Sequence, residues 1–245
     1  MTRTQDRTPI IRLTDITFGY PAAGPILHEL NFSFYRNERI GLVAPNGSGK
    51  TTLFHLIMGL VKPVSGSVEL FGTRMESEKI FARVRHRIGL LFQDADDQLF
   101  SPTVLEDVAF GPLNLGKSKK AAIDKSKETL AVLGLSGFED RITIKLSGGE
   151  KRLVALATIL AMDPEMLLLD EPTSGLDDAT KHRLKSILRD LNLPYLLISH
   201  EFDFLKSTTD HIYTMNDGKI LMDQELIIHS HEHAHVAGRQ PHKHV

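Results

Sequence analysis

The chain has 245 residues, of which 41% are hydrophobic, enough to bury a core of roughly one to two domains. Its 29 Lys and Arg residues nearly balance its 31 Asp and Glu residues, so the net charge of −2 gives no long-range attraction to nucleic acid or to an anionic membrane surface. Because it has no cysteine, a disulfide framework, a thiolate metal site and a cysteine nucleophile are excluded.

The first ten residues lack the apolar centre of a signal peptide. Short β-like runs then alternate with helical ones, which predicts an α/β fold with a largely parallel sheet covered by helices. The first strands are RLTDITFGY and RIGLVA, followed by the helix TTLFHLIMGL, and later strands are RIGLLFQ, MLLLD and YLLIS. The most apolar helical run, LVALATILAM, has about half of the roughly 20 residues needed to cross a bilayer, so we expect a soluble chain.

A long segment from about residue 94 to residue 145 separates the strand ending at Gln93 from MLLLD and has helical spacing, clearest in KKAAIDKSKETLAVLGL. We predict that it forms a separate helical subdomain. A hairpin is predicted in DHIYTMNDGKILMDQEL, turning at the Asn-Asp-Gly of residues 216–218. The folded domain is therefore expected to span residues 1–225, followed by a flexible, histidine-rich tail at residues 226–245.

The stretch GLVAPNGSGKTT, residues 41–52, joins a predicted strand to a predicted helix and matches the phosphate-binding pattern G-x-x-x-x-G-K-[ST] except at Ala44. Gly47 and Gly49 would let backbone N–H groups surround phosphates at a helix N-terminus, where Lys50 would neutralise charge. Pro45 restricts Ala44 to extended conformations with negative φ, which alanine adopts without strain, so the missing glycine is no obstacle. The alternative is a chance glycine-rich turn.

Three further elements accompany this loop. MLLLDEP is a buried strand ending in Asp170, suited to Mg²⁺, and Glu171, suited to orient or deprotonate a water molecule. LSGGE places Ser147, Gly148 and Gly149 as an N-cap and anion site at the start of a helix. His200 follows YLLIS and is placed to contact a γ-phosphate, although a lone histidine at a strand end is more often structural.

From about Ile11 to Leu221 the order of these elements resembles the nucleotide-binding subunits of ABC transporters. The resemblance implies a P-loop NTPase fold with a RecA-like core, an antiparallel β subdomain and an inserted helical subdomain. It also implies two ATP molecules with Mg²⁺, held between the subunits of a head-to-tail dimer, for which we expect identical chains. The implied ATP-binding residues are Tyr20, Asn46, Gly47, Ser48, Gly49, Lys50, Thr51 and Thr52.

The resemblance also assigns roles at the edges of the site. Tyr20 in TFGYP would stack on adenine, although it could instead be a core aromatic residue. Gln93 would contact Mg²⁺, together with Thr51 and Asp170, and also the membrane partner. Asp177 in SGLD would cross the dimer interface, and Ser147, Gly148, Gly149 and Glu150 would close over the partner's nucleotide.

Glu150 stands where the family's signature usually has glutamine. A carboxylate facing the γ-phosphate at about 7 Å would cost roughly 2 kcal/mol at an effective dielectric near 20. If it points away within the first helical turn, it would contribute about 0.3 to 1 kcal/mol through the helix dipole. We therefore expect the second orientation, in which Glu150 does not impair activity.

The segment FQDADDQLFSPTVLEDVAFGPLNLG, residues 92–116, is similar to the ATPases of energy-coupling-factor transporters, particularly their cobalt and nickel branch. The tail HSHEHAHVAGRQPHKHV independently offers imidazole ligands suited to Ni²⁺ or Co²⁺. They are His229, His231, His233, His235, His242 and His244. A solvated tail with incidental metal affinity, a metal buffer beside a metal transporter and an artificial tag all remain open.

Together these patterns predict an ATPase, peripheral on the cytoplasmic face of the membrane, that powers import of Ni²⁺ or Co²⁺ through separate membrane subunits. One alternative is an energy-coupling-factor ATPase serving vitamin uptake. A second alternative is a non-transport ABC ATPase acting on DNA or the ribosome, which a coiled-coil insertion, a second cassette or a basic surface would favour. A metal-storage protein would account for the tail and leave the rest of the chain unexplained.

Overall fold

The computed structural model describes residues 8–21 and 24–221. Two β-sheets form its framework. The first is antiparallel, with strands in the order β2 (Gly24–Phe34), β1 (Ile11–Tyr20), β4 (Ser65–Leu70) and β5 (Thr73–Arg74). Alternate residues of β1 are buried, as period-2 patterning requires of a sheet with one covered face.

The second sheet has six strands in the order β10 (Lys219–Leu221), β9 (His211–Asn216), β3 (Arg39–Val43), β8 (Tyr195–Ile198), β7 (Met166–Asp170) and β6 (Ile88–Leu91). The strands from β9 to β6 are parallel, and β10 is an antiparallel edge formed by the hairpin at residues 216–218. Every residue of β6, β7 and β8 is buried, which explains their uninterrupted apolar sequences.

Seven α-helices are described: α1 (Lys50–Ile57), α2 (Glu78–Val84), α3 (Val104–Asn114), α4 (Lys119–Val132), α5 (Gly148–Leu160), α6 (Asp178–Asp190) and α7 (Phe202–Thr208). One hydrophobic core joins the antiparallel sheet to α1 and the second sheet. Another joins α3, α4 and α5 to the opposite face of the second sheet. Among these helices none is long and apolar enough to cross a membrane.

The structure differs from the sequence interpretation at several elements, among them the end of β6 and strand β2. The predicted strand RIGLLFQ ends at Leu91 rather than at Gln93, because the backbone groups of Phe92 and Gln93 bond to side chains outside the sheet. Strand β2 was not identified from the sequence. Its alternation is broken at Glu29, where φ is +46° and the register with β1 shifts between Ile16 and Phe18.

Candidate functional site

The carboxyl ends of β3, β7 and β8 lie at one edge of the parallel sheet. The functional residues predicted from the sequence lie at or just after these three ends. The phosphate-binding loop follows β3, Asp170 and Glu171 lie at the end of β7, and His200 lies two residues beyond β8. Adjacent parallel strands end at the same edge of a sheet, which is where open α/β folds bind ligands. The topology thus brings together residues far apart in the sequence, such as Lys50 and His200.

The loop after β3 has the backbone expected of an anion site. Gly47 and Gly49 have φ values of +81° and +95°, in the left-handed region that favours glycine. A Cβ atom at Gly49 would also lie 2.8 Å from Cγ2 of Ile26, so packing excludes a side chain there as well. Ser48 between them has a buried Oγ with no hydrogen-bond partner among the described residues, as expected of a donor that awaits a ligand.

Ala44, the departure from the common pattern, lies in a conformation that does not need glycine. It is absent from the described residues with positive φ, and its side chain is buried in the core below the loop. Its carbonyl oxygen accepts a hydrogen bond from Lys50 Nζ at 3.2 Å. The methyl group therefore packs into the core, and the backbone still supports the loop lysine.

Lys50, Glu171 and His200 form a connected polar network. Lys50 Nζ lies 3.3 Å from Oε1 of Glu171 and 3.5 Å from Oδ1 of Asn46. The other carboxylate oxygen of Glu171 lies 2.9 Å from Nδ1 of His200. The Glu171 side chain is 4% exposed, whereas that of His200 is 67% exposed, so the network runs from the interior to the surface of the cleft.

Glu171 is also held in an uncommon backbone conformation, with φ at +46°. Its N–H donates to the carbonyl of Ile198 at 2.9 Å, which anchors the turn to strand β8. A non-glycine residue in this region costs of order 1 kcal/mol or more, and such strain clusters at functional sites. The strained turn directs the carboxylate toward Lys50 and His200.

Asp170 has the properties of a divalent-cation ligand. Thr51 Oγ1 donates to its Oδ2 at 3.0 Å, while its Oδ1 is buried without a partner among the described residues. Burial raises the pKa of Asp170 above its usual value and the charge of Glu171 raises it further, while the Thr51 hydrogen bond lowers it. A hydroxyl and a carboxylate with a free oxygen suit Mg²⁺, which prefers oxygen ligands.

Gln93 is exposed on an open cleft of about 890 Å³ between the parallel sheet and the helices that follow β6. Thr51, Asp170 and Gly148 also line this cleft. The structure therefore places the predicted loop glutamine on the same cavity as the candidate Mg²⁺ ligands. It also places the first glycine of LSGGE there.

The LSGGE segment begins α5 with a capping box. The Ser147 side chain accepts from the N–H of Glu150, and the Glu150 carboxylate accepts from the N–H of Ser147 at 2.8 Å and pairs with Arg141 at 2.9 Å. The hydrogen bonds with Ser147, the backbone one first, and then the charge of Arg141 lower the pKa of Glu150. Glu150 is thus turned back onto its own helix, in the orientation expected from the sequence, while Ser147 and Gly148 are exposed.

Three other predicted residues occupy positions with local structural partners. Asp177 is exposed and caps α6, accepting from the N–H of Thr180 at 2.8 Å, which lowers its pKa. Tyr20 ends β1, is 40% exposed and packs edge-on against Phe18 with ring centroids 5.0 Å apart. Thr52 is buried within α1. The roles of Asp177 at the dimer interface and of Tyr20 in stacking on adenine stay predictions.

The ABC transporter domain family matches residues 27–174, which include the phosphate-binding loop, the LSGGE segment and the acid pair. The chain belongs to this family. The ATPase is 40% identical over 218 residues to the energy-coupling factor transporter ATP-binding protein EcfA of Methanothermobacter thermautotrophicus, covering 87% of this chain and 70% of that protein.

Two solved structures share the ATPase fold. CbiO1 of Clostridium perfringens, described as part of the ABC transporter complex cbiONQ, is 30% identical with a TM-score of 0.79, covering 87% of each chain. The cassette MJ0796, solved as a dimer in a post-hydrolysis state with ADP and Pi, is 26% identical with a TM-score of 0.80, covering 88% of this chain and 98% of that one. These matches confirm the predicted fold and the assignment as an ATPase.

The sequence interpretation included six tail histidines and did not include Arg152. The six tail histidines lie outside the described residues, and among those described no three His, Asp or Glu side chains form a metal-binding group. Sequence reasoning also missed Arg152, which is buried beside the cleft and bonds to the backbone at Gln93. Its only sequence signal is a position on the apolar face of α5.

Proposed function

We propose that this ATPase energises import of Ni²⁺ or Co²⁺ through separate membrane subunits, as a dimer on the cytoplasmic face of the membrane. The network of Lys50, Glu171 and His200 beside the candidate Mg²⁺ ligands carries the hydrolytic part of the proposal. The similarity to EcfA and to CbiO1 supports the transporter part. It also favours transport over action on DNA or the ribosome.

In the proposed reaction, Lys50 leaves Glu171 and contacts the β and γ phosphates of ATP. Glu171 then accepts a proton from a water molecule while the oxygen of that water forms a bond to the γ-phosphorus. The bond from that phosphorus to the bridging oxygen breaks, giving ADP and inorganic phosphate. His200, on the exposed side of Glu171, donates a hydrogen bond to the γ-phosphate.

Mg²⁺ would be held by Thr51, Asp170 and Gln93 and would neutralise phosphate charge during transfer. The partnerless Oδ1 of Asp170 supports this set of ligands. Gln93 is exposed and lies on a loop outside the sheet.

The membrane partner is proposed to dock in an apolar groove of about 530 Å³ between α2, the segment after β6, and α3. Phe100 and Phe110 border this groove, are 67% and 46% exposed, and pack edge to face at 4.8 Å. Exposed neighbouring aromatic residues are typical of interface anchors. They lie in the segment of residues 92–116 whose sequence resembles metal-importer ATPases.

The choice of metal ion depends on that resemblance and on the tail histidines, since the name EcfA does not separate a metal from a vitamin. The deciding experiment is ATP-dependent ⁶³Ni²⁺ uptake by vesicles containing the purified complex with its native membrane subunits. Uptake should require ATP and be competed by Co²⁺. Uptake of a vitamin, with no metal uptake, would support the alternative substrate and leave the ATPase assignment intact.

The docking groove has its own test. The Phe110→Asp variant should no longer co-purify with the membrane subunits. The isolated variant subunit should still bind ATP. The control is Val132→Asp, which changes an apolar residue that is 69% exposed at the end of α4, outside the groove. Equal retention of the partner by both variants would reject this groove as the docking site.

A further inference from the structure

The loop that carries Gln93 is fastened to helix α5 by an arginine to which the sequence analysis gave no role. Arg152 is 5% exposed and lies two residues after Glu150 on α5. Its Nη1 donates to the carbonyl oxygen of Phe92 at 2.6 Å, and its Nη2 donates to the carbonyl oxygen of Gln93 at 2.5 Å. The guanidinium therefore bridges two consecutive peptide groups, one of them belonging to Gln93 itself.

Gln98 makes a second connection between the same loop and the same helix. Its Oε1 accepts from the N–H of Phe92 at 3.3 Å, while its Nε2 donates to the Ala155 carbonyl and to Thr158 Oγ1, both at 2.8 Å. Both ends of the amide group thus have partners. The peptide groups at the end of β6 are consequently bound to α5 instead of extending the sheet.

A buried guanidinium needs compensation, and here the backbone carbonyls supply much of it. Burial lowers the pKa of Arg152, while the charges of Asp94 and Asp170 raise it. Arginine stays protonated in proteins, so a permanent charge is retained under the cleft. An apolar side chain would fill this position without the cost of burying a charge. The presence of arginine here therefore points to a role for its directed hydrogen bonds.

We propose that Arg152 and Gln98 are positioning residues that make the location of Gln93 follow the signature helix α5. The inference rests on the proposed function, because it assumes that Gln93 acts at the nucleotide site. Gln93 lines the same cleft as Thr51 and Asp170, while the first residue of α5, Gly148, also lines it. A shift of α5 therefore carries the Gln93 backbone with it, and loss of the Arg152 bonds removes the direct link between that backbone and the helix.

A double-mutant cycle between Arg152 and Gln93 tests this mechanism in the full-length chain. The proteins are wild type, Arg152→Ala, Gln93→Ala and the double variant, assayed for ATPase kcat and for the Mg²⁺ concentration at half-maximal activity. If Arg152 acts through Gln93, each single variant should lose at least about tenfold in kcat, and the double variant should lose no more than about threefold further. Half-saturation by Mg²⁺ should rise in both single variants.

The controls separate positioning from a general loss of stability. Arg152→Lys keeps the charge and one bond and should recover at least about a third of the kcat lost. Arg39→Ala removes a guanidinium that likewise donates to two backbone carbonyls, those of Arg189 and Leu191, at the start of β3. It should lower the melting temperature but keep kcat within twofold at 25 °C, with unchanged Mg²⁺ half-saturation.

Gln98→Met, in the Gln93→Ala background, should also cause less than a threefold further loss. If Arg152→Ala and Gln93→Ala multiply fully in the double variant, the inference is overturned while the role of Gln93 stands. Normal turnover by Gln93→Ala would overturn both that role and this inference. Normal turnover and Mg²⁺ dependence of Arg152→Ala would overturn the inference directly.

Discussion

Replacing Glu171 by glutamine isolates the proposed proton acceptor with little change of shape. The carboxylate is 4% exposed and contacts Lys50 Nζ through Oε1 and His200 Nδ1 through Oε2. The amide of Glu171→Gln occupies the same volume and keeps one oxygen acceptor, so the turn after β7 should be preserved. It cannot accept a proton from water, which removes general-base catalysis at this position.

A positioned general base contributes about 10²- to 10⁴-fold, equivalent to about 2.7 to 5.4 kcal/mol of activation free energy. We therefore expect at least a 100-fold loss of kcat. ATP affinity should be equal or tighter, because the ion pair that Lys50 must leave in order to reach phosphate is weakened. Single-turnover hydrolysis of radiolabelled ATP measures the first quantity, and equilibrium binding of a fluorescent ATP analogue measures the second.

The control is Glu165→Gln, which changes another carboxylate that bridges two cationic side chains, Arg36 at 3.0 Å and Arg87 at 2.6 Å. It lies just before β7, at the opposite end of that strand from Glu171, so it should lower stability modestly and keep kcat within about twofold. Near-normal hydrolysis by Glu171→Gln would refute the base assignment. A matching loss in Glu165→Gln would attribute the effect to charge or stability instead.

Four further outcomes are expected. Lys50→Ala should weaken ATP binding in the same equilibrium assay, since a charge-assisted phosphate contact is lost, and affinity equal to that of Glu171→Gln would contradict this. Ala44→Gly should change ATPase activity by less than about threefold because φ is not positive there; a large gain would show that the methyl crowds the phosphates. Burial raises the pKa of Tyr195 to about 12. Its neutral hydroxyl, which donates to Thr208, therefore stabilises the fold fully below about pH 10, and this contribution to stability is lost as the pH rises toward 12. The free energy of unfolding of Tyr195→Phe, measured in urea, should decline less steeply over that range. Deleting residues 228–245 should keep ATPase activity within twofold and abolish most Ni²⁺ binding in calorimetry at pH 7.5, and retained binding would place the metal site elsewhere.

The motif residues could be predicted because their chemistry is tied to chain geometry. A glycine-rich turn after one strand and two acids at the end of another can be recognised because their residues are neighbours in the sequence. The extended conformation of Ala44 was predicted in the same way, from the residue that follows it, Pro45. The orientation of Glu150, turned back onto its own helix, was likewise expected from its place in the first helical turn. Local patterns of this kind depend on residues within a few positions of one another.

The features that escaped prediction depend on partners distant in sequence. The end of β6 is set by Arg152 and Gln98, which take the backbone groups that a longer strand would give to β7. The left-handed conformation of Glu171 follows from its bond to Ile198 across the sheet and from burial among the strand ends. Single-sequence periodicity contains no record of either contact, so these details required the assembled fold.

The distribution of unsatisfied polar atoms gives an independent argument for where the ligand binds. Native proteins leave few buried side-chain oxygens without partners, because each costs about 1 to 3 kcal/mol. Among the described residues, those without partners are Ser48 Oγ, Asp170 Oδ1 and Thr173 Oγ1. Ser48 lies in the phosphate-binding loop, Asp170 ends β7 and Thr173 follows that strand, all on the edge of the sheet where Lys50 and Glu171 meet. Random imperfections of packing would be spread over both cores, so this clustering indicates that a polar ligand completes the site.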